Sequence, residues 1–204
     1  SLERARDLRK APVIVLGAGE ANTHQEIGSP DLLTIAAKQS GERAFAMAGL
    51  SRDDMDLAMI YDSFTITVLA TLENLGFCKP GEGGDFVSGG RIRLGGELPL
   101  NLDGGGLSSN HPGMRGIFLL VEACRQLRGQ AGPFQVPDAN VAVACGSGGW
   151  LSCLGVVLLG ESSDLEAGTA QRERIPPARP RPGLLGCRHL VVVLTVIEHH
   201  LEQR

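Results

Sequence analysis

A layered α/β domain with a mixed sheet is the fold class this sequence predicts, on three observations. Short β-branched apolar runs alternate with longer stretches at helical spacing. Two β-like runs then follow one another at residues 140–159, and glycine stands where each helical stretch should stop, at Gly49, Gly76 and Gly129. Strands joined by helices, then two strands in succession, make a mixed sheet.

The elements follow in order. Residues 2–9 read as the end of a helix and lead into residues 12–17, Pro-Val-Ile-Val-Leu-Gly, a buried strand. Ser29 is placed to cap a helix with Pro30 at its first position. That helix, over residues 31–49, carries Leu33, Ala36, Ala37, Ala44 and Met47 at roughly helical spacing. Residues 51–54 form a turn, residues 57–60 a second buried strand, and residues 64–75 a helix stopped by Gly76. Residues 76–106 are a glycine-laden loop with a short strand, too long to be a plain connector. Residues 113–127 are a strong helix behind His111 and Pro112, ending with Arg125, Arg128 and Gly129 as a helix C-terminus should. Residues 140–144 and 151–159 are the closing strands, on either side of a turn, Cys145-Gly-Ser-Gly-Gly149.

The domain is thus residues 1–160, and residues 161–204 fall outside it. Residues 161–186, rich in Arg, Pro and Gly, show no apolar period and read as a disordered linker; residues 190–197 belong to a tail foreign to the domain.

Bulk properties remove several classes. The 204 residues are 43% hydrophobic and 21% charged, ordinary for a globular chain that needs no disulfide or metal to fold. A net charge of −4 without a basic stripe argues against nucleic acid as a partner. No apolar run reaches the length of a membrane span, and the polar N-terminus lacks a signal peptide's apolar segment. The chain begins with Ser, so it is expected to start part-way through a longer protein. Five cysteines, widely spaced and without a CxxC pair, indicate reduced thiols in a cytoplasmic protein rather than disulfides or zinc. His199 and His200, adjacent in the tail, do not suggest a metal site.

Three stations could carry chemistry. His111 stands between a glycine run and a helix start, and Pro112 holds it extended, so its ring can point into a cleft and donate to an oxygen gaining negative charge. The plainer alternative is a histidine that only steadies the loop. Cys145 follows a buried strand and precedes small residues, a turn whose amides can approach an anion and lower a thiol pKa; the alternative is a core cysteine, as Cys153 and Cys124 are expected to be. Tyr61 ends the second strand, where α/β folds place ligands, while Asp62 or Ser63 is expected to cap the following helix. Gly17-Ala-Gly19 is not a dinucleotide fingerprint, because the third glycine and the helix are missing.

Tyr61-Asp-Ser-Phe64, Asn110-His-Pro-Gly113 and Cys145-Gly-Ser-Gly-Gly149 resemble, in order, the three C-terminal active-site blocks of the thiolase superfamily. The phrases at residues 72–77, 95–101 and 125–129 resemble its sterol-carrier-protein-x branch, the lipid-transfer-protein-like acetyl-CoA acetyltransferases. The resemblance implies a five-layer enzyme of two similar halves, of which this chain holds the second, with a mixed five-stranded sheet flanked by helices. It implies a homodimer, no cofactor, and a coenzyme A thioester as substrate.

It further implies that His111 activates a nucleophilic cysteine of the other half or binds the thioester oxygen, and that Cys145 moves the α-carbon proton. Asn110, Gly146, Gly148 and Gly149 would line the substrate. The activity so implied is acyl-CoA C-acyl transfer, with this half inactive alone. Two departures matter: Tyr61 stands for the family's Asn or His, and Asn110 for Gly. Tyr61 favours a rival, a steroid side-chain acyl-CoA retro-aldolase with an OB-fold partner protein. A non-catalytic lipid- or CoA-binding module is the third reading.

Overall fold

The computed structural model describes residues 5, 7–23, 31, 33–149 and 151–161. The elements are β1 (Val13–Asn22), α1 (Ala37–Ala48), β2 (Leu57–Ile60), α2 (Thr65–Leu75), the short α3 (Gly83–Val87), α4 (Arg115–Leu127), β3 (Val141–Gly148) and β4 (Cys153–Glu161). The expected cap at Ser29 and Pro30, and all but the first residue of the tail, lie outside the described residues. Among the described residues no helix is long and apolar enough to cross a membrane.

The strands lie in the order β1-β4-β3-β2. β4 runs antiparallel to both β1 and β3, whereas β2 and β3 are parallel. The expected mixed sheet is therefore present, and period-two alternation divides its side chains between two cores. Val143 and Cys145 pack with Ala44, Phe45, Leu72 and Leu75 of α1 and α2. Ala142 and Ala144 pack with Leu119, Ala123 and Leu127 of α4 on the other face. The layering is α-β-α.

Among the described residues the sheet has four strands where five were expected. The fifth place, beside β2, is held by a single parallel bridge between Ala58 and Leu100. The chain then turns left-handed at Asn101 (φ 50°), which ends the strand. The Asn101 side chain continues the ladder: Ile60 N–H donates to Oδ1 at 2.8 Å, and Nδ2 donates to the Ile60 carbonyl at 2.7 Å.

Three boundaries differ from the sequence reading by more than two residues. β1 runs through Gly17 and Gly19 to Asn22. Those glycines admit α1, for a Cβ on either would run into the carbonyl oxygen of Ala44 or Ser40. α1 begins at Ala37, not residue 31. Upstream, the backbone is engaged elsewhere: Asn74 of α2 accepts from Ile35 N–H at 3.0 Å and donates to the Leu33 carbonyl at 2.7 Å. β3, finally, continues through Cys145 to Gly148, so the segment read as a turn is ladder. The stops at Gly49 and Gly76 are as expected, both left-handed (φ 69° and 86°).

Candidate active site

β2 is four buried apolar residues, and the parallel β2–β3 pair ends together at Ile60 and Cys145. The next residue, Tyr61, donates its N–H to the Cys145 carbonyl at 2.9 Å. Its half-buried ring packs against the α4-side core. Tyr61 thus stands at the carboxyl end of a parallel strand pair, where open α/β sheets place ligands.

Asp62 follows and is buried. It does not cap α2, as the sequence suggested. Thr67, inside the first turn of α2, accepts from Phe64 N–H at 3.2 Å and donates to the Phe64 carbonyl at 2.7 Å. The Asp62 carboxylate instead accepts from the N–H groups of Gly106 at 2.7 Å and Leu107 at 3.1 Å. Asp103 accepts from Gly105 N–H at 3.0 Å and pairs with the buried Arg115 guanidinium at 2.9 Å. Three successive amides of the glycine run are therefore held by the protein's own carboxylates, which removes them as anion donors. Sequence reading missed Asp62, Asp103 and Arg115 in this role. The nearest signal was an aspartate just upstream of the glycine run.

The loop so held carries His111, whose ring meets that of Tyr61 edge-on, with centroids 6.0 Å apart and planes at 87°. His111 is exposed. Among the described residues, neither its ring nitrogens nor the Tyr61 hydroxyl has a hydrogen-bond partner. A phenol donates and a neutral imidazole both donates and accepts, so the pair can hold an oxyanion and carry a proton.

Cys145 is placed otherwise. Its thiol packs on the α1–α2 face, with Ile60, and is 1% exposed. Burial pushes its pKa up to about 12. The expected lowering in a glycine turn is thus corrected: the residue lies inside β3, and desolvation disfavours the thiolate. The structure brings Tyr61 and His111 ring to ring; Cys145 joins them through its backbone only.

Of the remaining candidates, Asn110 is exposed in the His111 loop. Gly146 lies under the start of α4, where an added Cβ would meet the Gly116 Cα at 3.4 Å. Gly148 is the last β3 residue paired with β4, and Gly149 (φ 57°) opens the hairpin. Two cavities of about 660 and 620 Å³ flank the domain. One is lined by Lys38, Arg52, Glu73 and Cys78, the other by the loops of residues 87–94 and 100–104 with Phe134. Neither reaches Tyr61 or His111.

Residues 19–161 match the family described as thiolase C-terminal domain-like, and the chain belongs to that family. It is similar, at 36% identity over 160 residues, to a steroid side-chain-cleaving aldolase of Thermomonospora curvata, covering 72% of this chain and 39% of that one. The same identity and coverage hold for the 17-hydroxy-3-oxo-4-pregnene-20-carboxyl-CoA lyase of Mycobacterium tuberculosis and for an acetyl-CoA acetyltransferase of Methanothermobacter thermautotrophicus. Among solved structures, a chain of the Ltp2-ChsH2(DUF35) aldolase superposes with a TM-score of 0.69 at 31% identity, over 78% of this chain and 42% of that one. The chain spans about two-fifths (39%) of the length of these curated relatives.

Proposed function

We propose that this chain is the C-terminal half of a carbon–carbon lyase that splits a β-hydroxyacyl-CoA by retro-aldol cleavage, with Tyr61 and His111 as the reacting pair. The observation that carries this reading is the division of the three stations. Tyr61 and His111 meet ring to ring with their polar atoms uncommitted among the described residues, while the Cys145 thiol is sealed in the opposite core. Similarity to an aldolase, a CoA lyase and an aldolase structure supports it.

In the step, His111 takes the proton of the substrate's β-hydroxyl. The bond between the α- and β-carbons breaks, leaving a carbonyl on the β-carbon and an enolate on the thioester. Tyr61 donates a hydrogen bond to the enolate oxygen, and His111 returns the proton to the α-carbon. One proton moves from oxygen to carbon, and the products are a ketone or aldehyde and a shortened acyl-CoA. Each function is of a kind contributing roughly 10²–10⁴-fold when well placed.

Large apolar side chains stand exposed on the segments that carry the pair, among them Phe64, Ile66, Leu107, Met114 and Phe118. Their exposure on these segments is consistent with a site completed by further protein. We assign that cover to the other half of the enzyme, in a homodimer joined by an OB-fold partner protein. The acyl-CoA C-acyltransferase reading keeps one support, the similarity to the acetyl-CoA acetyltransferase. The two separate by mutation of the complete enzyme. As a lyase, it loses cleavage at least about 100-fold in Tyr61→Phe and little in Cys145→Ala. Loss of coenzyme A-dependent thiolysis in Cys145→Ala, with Tyr61→Phe unaffected, would restore the transferase.

A further inference from the structure

Asp62 has no part in the step above, yet its carboxylate lies directly beneath the loop that carries His111. We propose that Asp62 is a positioning residue, which fixes the His111 ring against Tyr61 through the backbone of Gly106 and Leu107.

Both carboxylate oxygens are used, one on Gly106 N–H at 2.7 Å and one on Leu107 N–H at 3.1 Å. The imidazole faces the same side of Gly106 as the carboxylate. A Cβ added at Gly106 would sit 3.1 Å from Asp62 Oδ1 and 3.2 Å from His111 Nδ1. Carboxylate and ring thus both border the space that a side chain at Gly106 would fill. At Gly105 a Cβ would overlap the Asp62 carboxylate itself. There the loop can rest this close only as glycine, whereas a Cβ at Gly106 would press on both groups. It can stay there only if its two amides have an acceptor, because orphaned buried amides cost free energy. Asp62 is also bonded into the chain immediately after Tyr61, so one short segment sets both rings.

The catalytic consequence of this inference rests on the lyase reading, but the geometry does not, and the test separates them. In the 204-residue chain, the His111 ring signals in a 1H–13C spectrum are identified by their loss in His111→Gln. Tyr61→Leu then gives the shift they owe to the neighbouring ring. Asp62→Asn keeps the shape but sets an amide donor against a backbone N–H. It should move the His111 signals by an amount comparable to Tyr61→Leu, with the backbone amide spectrum otherwise preserved.

Should Asp62→Asn fail to fold, Gly106→Ala pushes the ring from the same place and should shift it likewise. Unmoved His111 signals in whichever of these variants folds would overturn the inference. A displaced ring with unchanged cleavage in the complete enzyme would count against the lyase reading and leave the positioning in place.

Discussion

Cys145 and Tyr61 are one hydrogen bond apart along the backbone, yet their side chains serve opposite faces of the sheet. With its pKa near 12, the Cys145 thiol stays protonated across the physiological range. At pH 8 it should alkylate about a thousandfold more slowly than an exposed thiol, since only the thiolate reacts. Peptide mass spectrometry after limited iodoacetamide treatment reads this directly, and first modification at Cys145 would contradict the burial. Glu122 gives a second residue-level prediction. Burial raises its pKa against the opposing hydrogen bond from Gln126 and the charge of Arg125. A folded-state pKa above the unfolded one means the native state binds the proton more tightly. Stability is then fully present below the unfolded value and falls as pH rises through the folded one. The stability of Glu122→Gln should therefore gain on the native chain as pH rises through that window; an unchanged difference from pH 4 to 7, by urea unfolding at each pH, would refute it. At this scale the sequence was partly readable. Tyr61 and His111 stood out as rare residues next to breaks in apolar pattern. Asp62 did not, because its hydrogen-bond partner is 44 residues away, and a local cap was a sufficient explanation.

At the scale of elements, the edge of β2 shows how a strand is replaced by one side chain. Asn101 supplies both a donor and an acceptor to Ile60 while its own backbone turns left-handed. Asn101→Ala should cost about 2–4 kcal/mol in urea unfolding: two backbone groups lose their partners, and alanine tolerates positive φ poorly. A loss below about 0.5 kcal/mol would show that water replaces the amide. The expected fifth strand reflects the same fact. The family resemblance implied a full strand there, but the left-handed turn at Asn101 leaves one bridge between Ala58 and Leu100. The element types in the described residues were otherwise legible from apolar spacing and glycine stops, except the short helix α3, which lies in a segment read as loop and short strand. The start of α1 was not, because Asn74 takes the backbone of residues 33–35, and no local signal foretells a partner from another helix. The extent of β3 was hidden too, since Gly146 and Gly148 look like turn residues but pair with Gly155 and Cys153.

At the scale of the whole molecule, the chain spans 39% of the three curated relatives named above and presents its two candidate catalytic rings at an exposed end of the sheet. A pair without the surrounding protein lacks the water exclusion and fixed dipoles that give such groups their effect. The 204-residue chain alone should therefore show no cleavage of acyl-CoA above the uncatalysed rate. Robust turnover by it would mean that the site is complete as it stands. The central claim is that chemistry runs through Tyr61 and His111 rather than Cys145. The most direct measurement compares Tyr61→Phe and Cys145→Ala in the complete enzyme, following carbonyl release from a β-hydroxyacyl-CoA. Retro-aldol cleavage predicts at least about a 100-fold fall in kcat for Tyr61→Phe and near-native rate for Cys145→Ala. The reverse pattern, a silent Tyr61→Phe and a dead Cys145→Ala, would contradict it.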